Sequence, residues 1–309
     1  MTSGLIFAIA ACFCWSLVFI VPSFITGFNP LEIALGRFFV YGLLCFCYLL
    51  LKKRNLFSSM YLNYWKTAFI LSFFSTVLCY TAVVLNVQYA GPTLATLIFS
   101  MTPITIPLAG NFYKKEVSFY KFIIPLSLTI LGIFLAKFHS LEKNPPSLIL
   151  YSFGIFSGLI GVASWTFFSV INADFLKKNK DLSLTNWFLM LGSSTFFLVL
   201  LLSAISFPFL TNPEKYFTYS PDLHSFLGFS LLLGTVSTAL PFYFWMQGSK
   251  RLPISLAGQL MVFEIIFALV LIYCLHGKAF SFAEISGILL MIMGVFVGFK
   301  TLNRKVKEL

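Results

Sequence analysis

The chain has 309 residues, of which 59% are hydrophobic and 10% charged, and its formal net charge is +11. Soluble globular domains carry about 25% charged residues, so this composition excludes an ordinary water-soluble fold and makes lipid the natural solvent. The basic residues fall in short clusters between apolar runs, which argues against a nucleic-acid partner and for loops retained on one face of a bilayer.

Ten apolar stretches follow one another, each about long enough to cross a bilayer core as a helix. The first is predicted over 4–24, with Trp15 about mid-helix; Met1–Gly4 lacks the positive start of a signal peptide. The second, 30–51, opens at Pro30 and carries Arg37. That places a guanidinium roughly 10 Å in from the surface at 1.5 Å per residue. It could snorkel outward, meet a cargo carboxylate, or pair with Glu32, although a five-residue separation is not an ideal helical pairing. The third, 65–86, holds Ser75, Thr76 and Tyr80. The fourth, 92–113, contains Pro103 and Pro107, and the fifth is 119–137, with Pro125 inside it. A polar loop over 138–147, with Pro145–Pro146, separates a first repeat, 1–147, from a second, 148–309. The sixth stretch, 148–172, carries Trp165, and the seventh is 184–207. After a second long loop, 208–223, the eighth, 224–247, contains Ser237, Thr238, Pro241, Tyr243 and Trp245. The ninth, 254–275, contains Gln259 and Glu264, and the tenth is 282–300.

Orientation follows from the basic residues. With the N-terminus inside, clusters such as Lys52–Arg54, Lys114–Lys115, Lys177–Lys178 and Lys250–Arg251 share the inner face; only Lys137, Lys143, Lys215 and Lys278 fall outside. This places both termini in the cytoplasm.

The two halves repeat one another. Residues 4–20, GLIFAIAACFCWSLVFI, line up with 154–170 at a shift of 150, pairing Gly4 with Gly154 and Trp15 with Trp165. Later the shift is 162: Ser75–Thr76 meets Ser237–Thr238, Thr102–Pro103 meets Glu264–Ile265, and LGIF (131–134) meets MGVF (293–296). The 12 extra residues are expected in the outer loop after helix 7. Five helices is an odd number, so the second copy enters from the opposite side. The expected fold is therefore all-α and integral to the membrane, with ten transmembrane helices as two inverted five-helix repeats. This pattern places a binding site at the repeat interface of a secondary transporter.

Glu264 sits in the middle of an otherwise apolar run, where a carboxylate is expensive. A carboxylate at a helix centre costs about 3 kcal/mol on insertion scales, so it should face the bundle interior or a wet cavity. There it could hold a cargo cation, carry a coupling proton, or donate a structural hydrogen bond when protonated. Gln259, five residues earlier, could reach the cavity edge or join helices. Trp15 and Trp165, matched and mid-span, could flank a central cavity and offer π-faces to cations, or pack helices. Tyr80 and Tyr243 add further aromatics. Pro103 and Pro241 free backbone carbonyls and are candidate gating positions, or static kinks.

Six cysteines lie inside apolar runs, and the three histidines, His139, His224 and His276, fall at helix ends or loops. Neither a disulfide framework nor a metal site is expected. No nucleotide-binding or hydrolase motif is present in the sequence, so neither a cofactor, a catalytic residue nor ATP-driven transport is expected.

At this point the chain resembles the drug/metabolite transporter superfamily, in its EamA-like branch. The similar features are CFCWSLVFI and VASWTFFSV opening the two halves, the arginine of LEIALGRFFVYG, SMTPITIPLAGNFYKKEVSFYKFIIPLSLTILGIFLA across helices 4 and 5, and LMVFEIIFALVLIYCLHGKAFSFAEISGILLMIMGVFVG across helices 9 and 10. The family often has Glu-Pro in helix 9, where Ile265 follows Glu264 here; Lys115–Glu116 after helix 4 is mated with Gly277–Lys278. The proline-made weak point is therefore expected mainly in the first half. The resemblance implies transport of small metabolites, frequently amino acids.

The reading that results is a secondary active transporter of a small organic metabolite, best an amino acid or related zwitterion, in a bacterial inner membrane. Its cavity is expected between helices 1, 3, 4, 6, 8 and 9, with Glu264 as anchor and Arg37 as the intramembrane charge of opposite sign. Efflux of amphipathic cationic drugs or quaternary amines is the alternative. Proton coupling, and a monomer or homodimer, are both compatible with the sequence.

Overall fold

The computed structural model describes residues 2–58, 61–115, 119–137, 147–207, 213–276 and 281–308. Glu116, His139, Lys143, Pro145, Pro146, Gly277 and Lys278 lie outside them.

Ten helical spans are present among the described residues: α1 (Thr2–Phe24), α2 (Pro30–Lys52), α3 (Leu62–Ala90), α4 (Leu94–Lys114), α5 (Tyr120–Lys137), α6 (Leu148–Lys178), α7 (Leu184–Ser206), α8 (Pro221–Arg251), α9 (Ile254–Leu275) and α10 (Phe282–Thr301). The spans overrun the expected ones at polar ends. The α6 helix continues past 172 to Lys178, because the added turns are helix-forming and end in Lys177 and Lys178, which suit a helix C-terminus.

The packing shows the inverted repeat. The end of α3 packs on α6, and the end of α8 packs on α1; α2 packs on α7, α5 on α10, and the second part of α4 on the first part of α9. Exchanging the halves maps the first four pairings onto one another or onto themselves, whereas α4 and α9 meet through unlike parts. Matched glycines make the contacts close. A Cβ on Gly4 would meet Leu252 at 2.9 Å, and one on Gly154 would meet Ala90 at 2.9 Å. The α5–α10 crossing is close at several glycines: a Cβ on Gly132 would lie 2.6 Å from the Gly287 carbonyl, and one on Gly294 2.6 Å from Thr129 Oγ1. Small residues let backbones approach where lipid supplies no hydrophobic drive. Gly132→Val is therefore expected to cost about 1–3 kcal/mol, read as a lower melting temperature in detergent. Gly228→Ala, where no atom lies within 4 Å, should leave it unchanged or higher.

The helices are interrupted at matched places. A π-helical turn spans Phe73–Leu78 in α3 and Thr235–Ala239 in α8, each around the Ser-Thr dipeptide. Hydroxyls take up carbonyls there: Ser164 Oγ donates to Phe74 O at 2.6 Å and Thr238 Oγ1 to Leu233 O at 2.9 Å. The α4 span breaks between Phe99 and Thr102, and α9 breaks at Met261 between Leu260 and Val262. The expected proline-made weak point is in the first half, and a second break lies at the matched place in the other half. Proline breaks α4, whereas α9 is bent without one. Gly258, a weak helix former, presses against Pro107 and Ile106 of α4, and short-range bonds from Met261 N–H to Gly258 O and from Glu264 N–H to Met261 O close the bend.

The extra residues of the second half are also not all in one loop. The α6 span has 31 residues against 23 in α1, the α7–α8 connection is longer than α2–α3, and α8 runs 14 residues before its π-turn against 11 in α3.

Candidate functional site

A cavity of about 410 Å³ runs from the middle of the bundle to the end at which Pro30 lies. Regular α-helix in α1 stops at Ser16, and two 3₁₀ turns, Leu17–Phe19 and Val21–Phe24, carry the chain along the cavity. Pro22 has no N–H to continue the helix, and Val18, Phe19 and Pro22 all line the opening. Val83, Val84 and Val87 of α3 form an apolar wall, and Phe28 and Pro30 stand at the mouth.

Five of the seven expected binding residues come together here: Glu264, Arg37, Trp15, Trp165 and Tyr80 all line the cavity. Helix α2, expected only through Arg37, supplies a wall through Ile33, Ala34 and Arg37. Helices α6 and α8 contribute only Trp165 and Leu233.

Glu264 is 8% exposed and sits in the first turn of the second part of α9, just past the break at Met261. A helix N-terminus favours a carboxylate, so the bend supplies part of what lipid would withhold. The Leu260 carbonyl freed at the bend accepts from Cys12 Sγ at 3.3 Å.

Arg37 is 2% exposed. Its guanidinium lies 4.4 Å from the Phe38 ring centroid and 4.3 Å from that of Tyr80. Its Nε and Nη2 have no hydrogen-bond partner, and no carboxylate lies within ion-pair distance of it among the described residues. It neither snorkels nor pairs with Glu32. Glu32 is engaged elsewhere, by Lys215 Nζ at 2.8 Å and the Tyr216 hydroxyl at 2.7 Å. Burial, and then this hydrogen bond to Glu32, push the Tyr216 phenol well above its ordinary pKa, so it stays a donor.

The floor is aromatic. Trp15 and Trp165 meet edge to face at 5.5 Å, and Trp15 lies 5.7 Å from Trp245 and 6.0 Å from Phe242. These rings shut the cavity from the end at which Lys52 lies. Beyond them Asp174 ties α6 to α4, accepting from Tyr113 OH at 3.0 Å and pairing with Lys114, and it also pairs with Lys178 at 2.8 Å.

Four expected site residues do not line the cavity. Gln259 packs its amide against Gly298 of α10, with no hydrogen-bond partner for either amide atom among the described residues. Tyr243 turns toward α7, meeting Phe188 edge to face at 5.6 Å and accepting from Gln247 Nε2 at 3.0 Å. Pro103 and Pro241 are buried, each at the start of the helical segment that follows a break or a π-turn. The apolar wall of α3 carried no signal in the sequence beyond hydrophobicity, and the 3₁₀ part of α1 carried none besides Pro22. Among the described residues no group of His, Cys, Asp and Glu could hold a metal ion.

A ten-helix inverted repeat that encloses a half-open, charge-bearing cavity is the architecture of a membrane transporter. The EamA-like transporter family model matches residues 2–138 and 152–299, and the chain belongs to that family. It is 23% identical over 313 residues to the inner membrane protein YtfF of Escherichia coli (strain K12), covering 99% of this chain and 97% of that one. It is 24% identical over 229 residues to an uncharacterized transporter of Archaeoglobus fulgidus, covering 74% and 73% of the two chains. A solved crystal structure superposes with a TM-score of 0.76 at 16% identity, covering 98% of this chain and 99% of that chain, which shows the same fold.

Proposed function

We propose that the protein is a secondary active transporter of a small organic metabolite in a bacterial inner membrane, with an amino acid or related zwitterion as cargo. One observation carries the reading: Glu264 and Arg37, of opposite charge, line a single cavity in the bundle interior. A zwitterion needs one partner of each sign, and the remaining lining is mostly apolar or aromatic. Trp15 and Trp165 offer π-faces to an ammonium group.

The clustering of basic residues puts the Lys52 end and both termini in the cytoplasm. The cavity then opens outward and is closed inward by the tryptophan floor and the Asp174 cluster. Alternating access is a rocking of 1–147 against 148–309 about the matched breaks in α4 and α9, with Pro103 and Pro241 at the segments that move. Glu264 is the group that would carry a coupling proton. The inner membrane is supported by the likeness to YtfF.

The aromatic floor beside a carboxylate favours a second reading, efflux of amphipathic cations. Counterflow in liposomes loaded with amino acids, nucleobases and quaternary amines separates the two. Labelled amino acid is expected to accumulate; accumulation of quaternary amines alone would replace the first reading with the second, and accumulation of none would remove both.

A further inference from the structure

The cavity mouth is held from one side by a contact between the two halves. The α1–α2 connection supplies Phe28 to the mouth, and α2 begins beside it at Pro30 with a capping box: the Asn29 side chain accepts from Glu32 N–H, and the Glu32 carboxylate accepts from Asn29 N–H at 2.7 Å. That carboxylate, 2% exposed, is then gripped by the short turn Pro213–Tyr216 of the α7–α8 connection. Lys215 Nζ reaches Glu32 Oε1 at 2.8 Å and donates to Gly27 O at 3.0 Å, and the Tyr216 hydroxyl donates to Oε1 at 2.7 Å. Phe28 is fixed by the same set, stacked on Phe226 of α8 at 4.0 Å with Lys215 over its ring at 4.5 Å. Thr26 donates to Asp222 of α8.

We propose that the Lys215–Tyr216–Glu32 contact is a latch that holds the α1–α2 connection clear of the mouth, so that entry from this end depends on it. The proposal rests on the transport reading only for its purpose, since the latch itself is a matter of access. Surface ion pairs contribute little, but this carboxylate is buried and takes bonds from three groups; such charge-assisted bonds are roughly twice as strong as neutral ones, and removing their donors leaves the buried charge uncompensated. Lys215 and Tyr216 lie outside the cavity lining, so the latch can be broken without altering the surface that cargo touches.

The test is thiol access. Val84→Cys, on the cavity wall, is labelled in nanodiscs by a water-soluble maleimide, with the labelling of the native thiols subtracted. Adding Lys215→Met with Tyr216→Phe leaves the α2 cap intact, and should slow labelling about five-fold or more, the effect of losing roughly one or two net hydrogen bonds. Lys215→Arg should keep the native rate, which separates the loss of the latch from general loosening. Equal or faster labelling in the Lys215→Met and Tyr216→Phe background would overturn the latch. Slowed labelling in a protein that moves no cargo at all would keep the latch and remove the transport reading.

Discussion

Glu264→Gln should abolish cargo counterflow while leaving the protein folded. Truncating one partner of a buried, hydrogen-bonded charge contact costs about 2–5 kcal/mol, which is roughly a 30-fold loss of affinity or more. The amide keeps the shape and removes the charge that lipid-like surroundings disfavour, so the melting temperature in detergent should hold or rise. Counterflow at the native rate would return Glu264 to a structural hydrogen-bonding role. A collapse in melting temperature together with lost transport would do the same, because a structural carboxyl predicts both.

Arg37→Met should give the same pairing of effects with a clearer gain in stability: a more stable protein that has lost its cargo. The guanidinium is 2% exposed, with two nitrogens unpartnered among the described residues and the Phe38 and Tyr80 rings against it. Replacing buried charge with an apolar side chain of similar volume is often stabilising by about 1–4 kcal/mol. A zwitterion would lose its anionic contact and its counterflow would fall on the order of 100-fold, as for other charged hydrogen bonds left unmade. Quaternary amine transport, if present, should persist or rise. A destabilised Arg37→Met protein would show that the arginine is held by contacts that matter to the fold. A stable one with intact amino acid counterflow would break the zwitterion reading.

The residues that proved to share the cavity were legible because each is in the wrong solvent. A carboxylate, a guanidinium and two mid-span tryptophans stand out against lipid, and chain order alone puts them in facing repeats. Gln259 met the same criterion and faces α10 instead. In a helix that is apolar all round, no hydrophobic stripe tells which side is inward, so depth can be read and direction cannot. Of helix α2 only Arg37 was legible, for a related reason. The cavity wall it forms depends on α1 unwinding into 3₁₀ turns beside it, and apart from Pro22 those turns have the composition of ordinary helix. The break in α9 was harder to read, since no proline marks it and Gly258, three residues before it, is a weak signal until its packing on Pro107 and Ile106 is seen. Repeat pairing, by contrast, was readable from Gly4 with Gly154 and from LGIF with MGVF, because close helix crossings tolerate only small residues.

The paired π-turns in α3 and α8 have a consequence for alignment and for engineering. A π-turn behaves as one residue inserted into a helix, and every side chain beyond it is rotated by about 100° from where an unbroken helix would put it. Tyr80, two residues past the end of the turn in α3, owes its place over Arg37 to that phase change, and Trp245 in α8 owes its place beneath Trp15 to the other. Deleting a single residue from either turn would leave length, hydropathy and packing glycines almost untouched. It would swing the whole downstream face aside, turning Tyr80 off the guanidinium or Trp245 out of the floor.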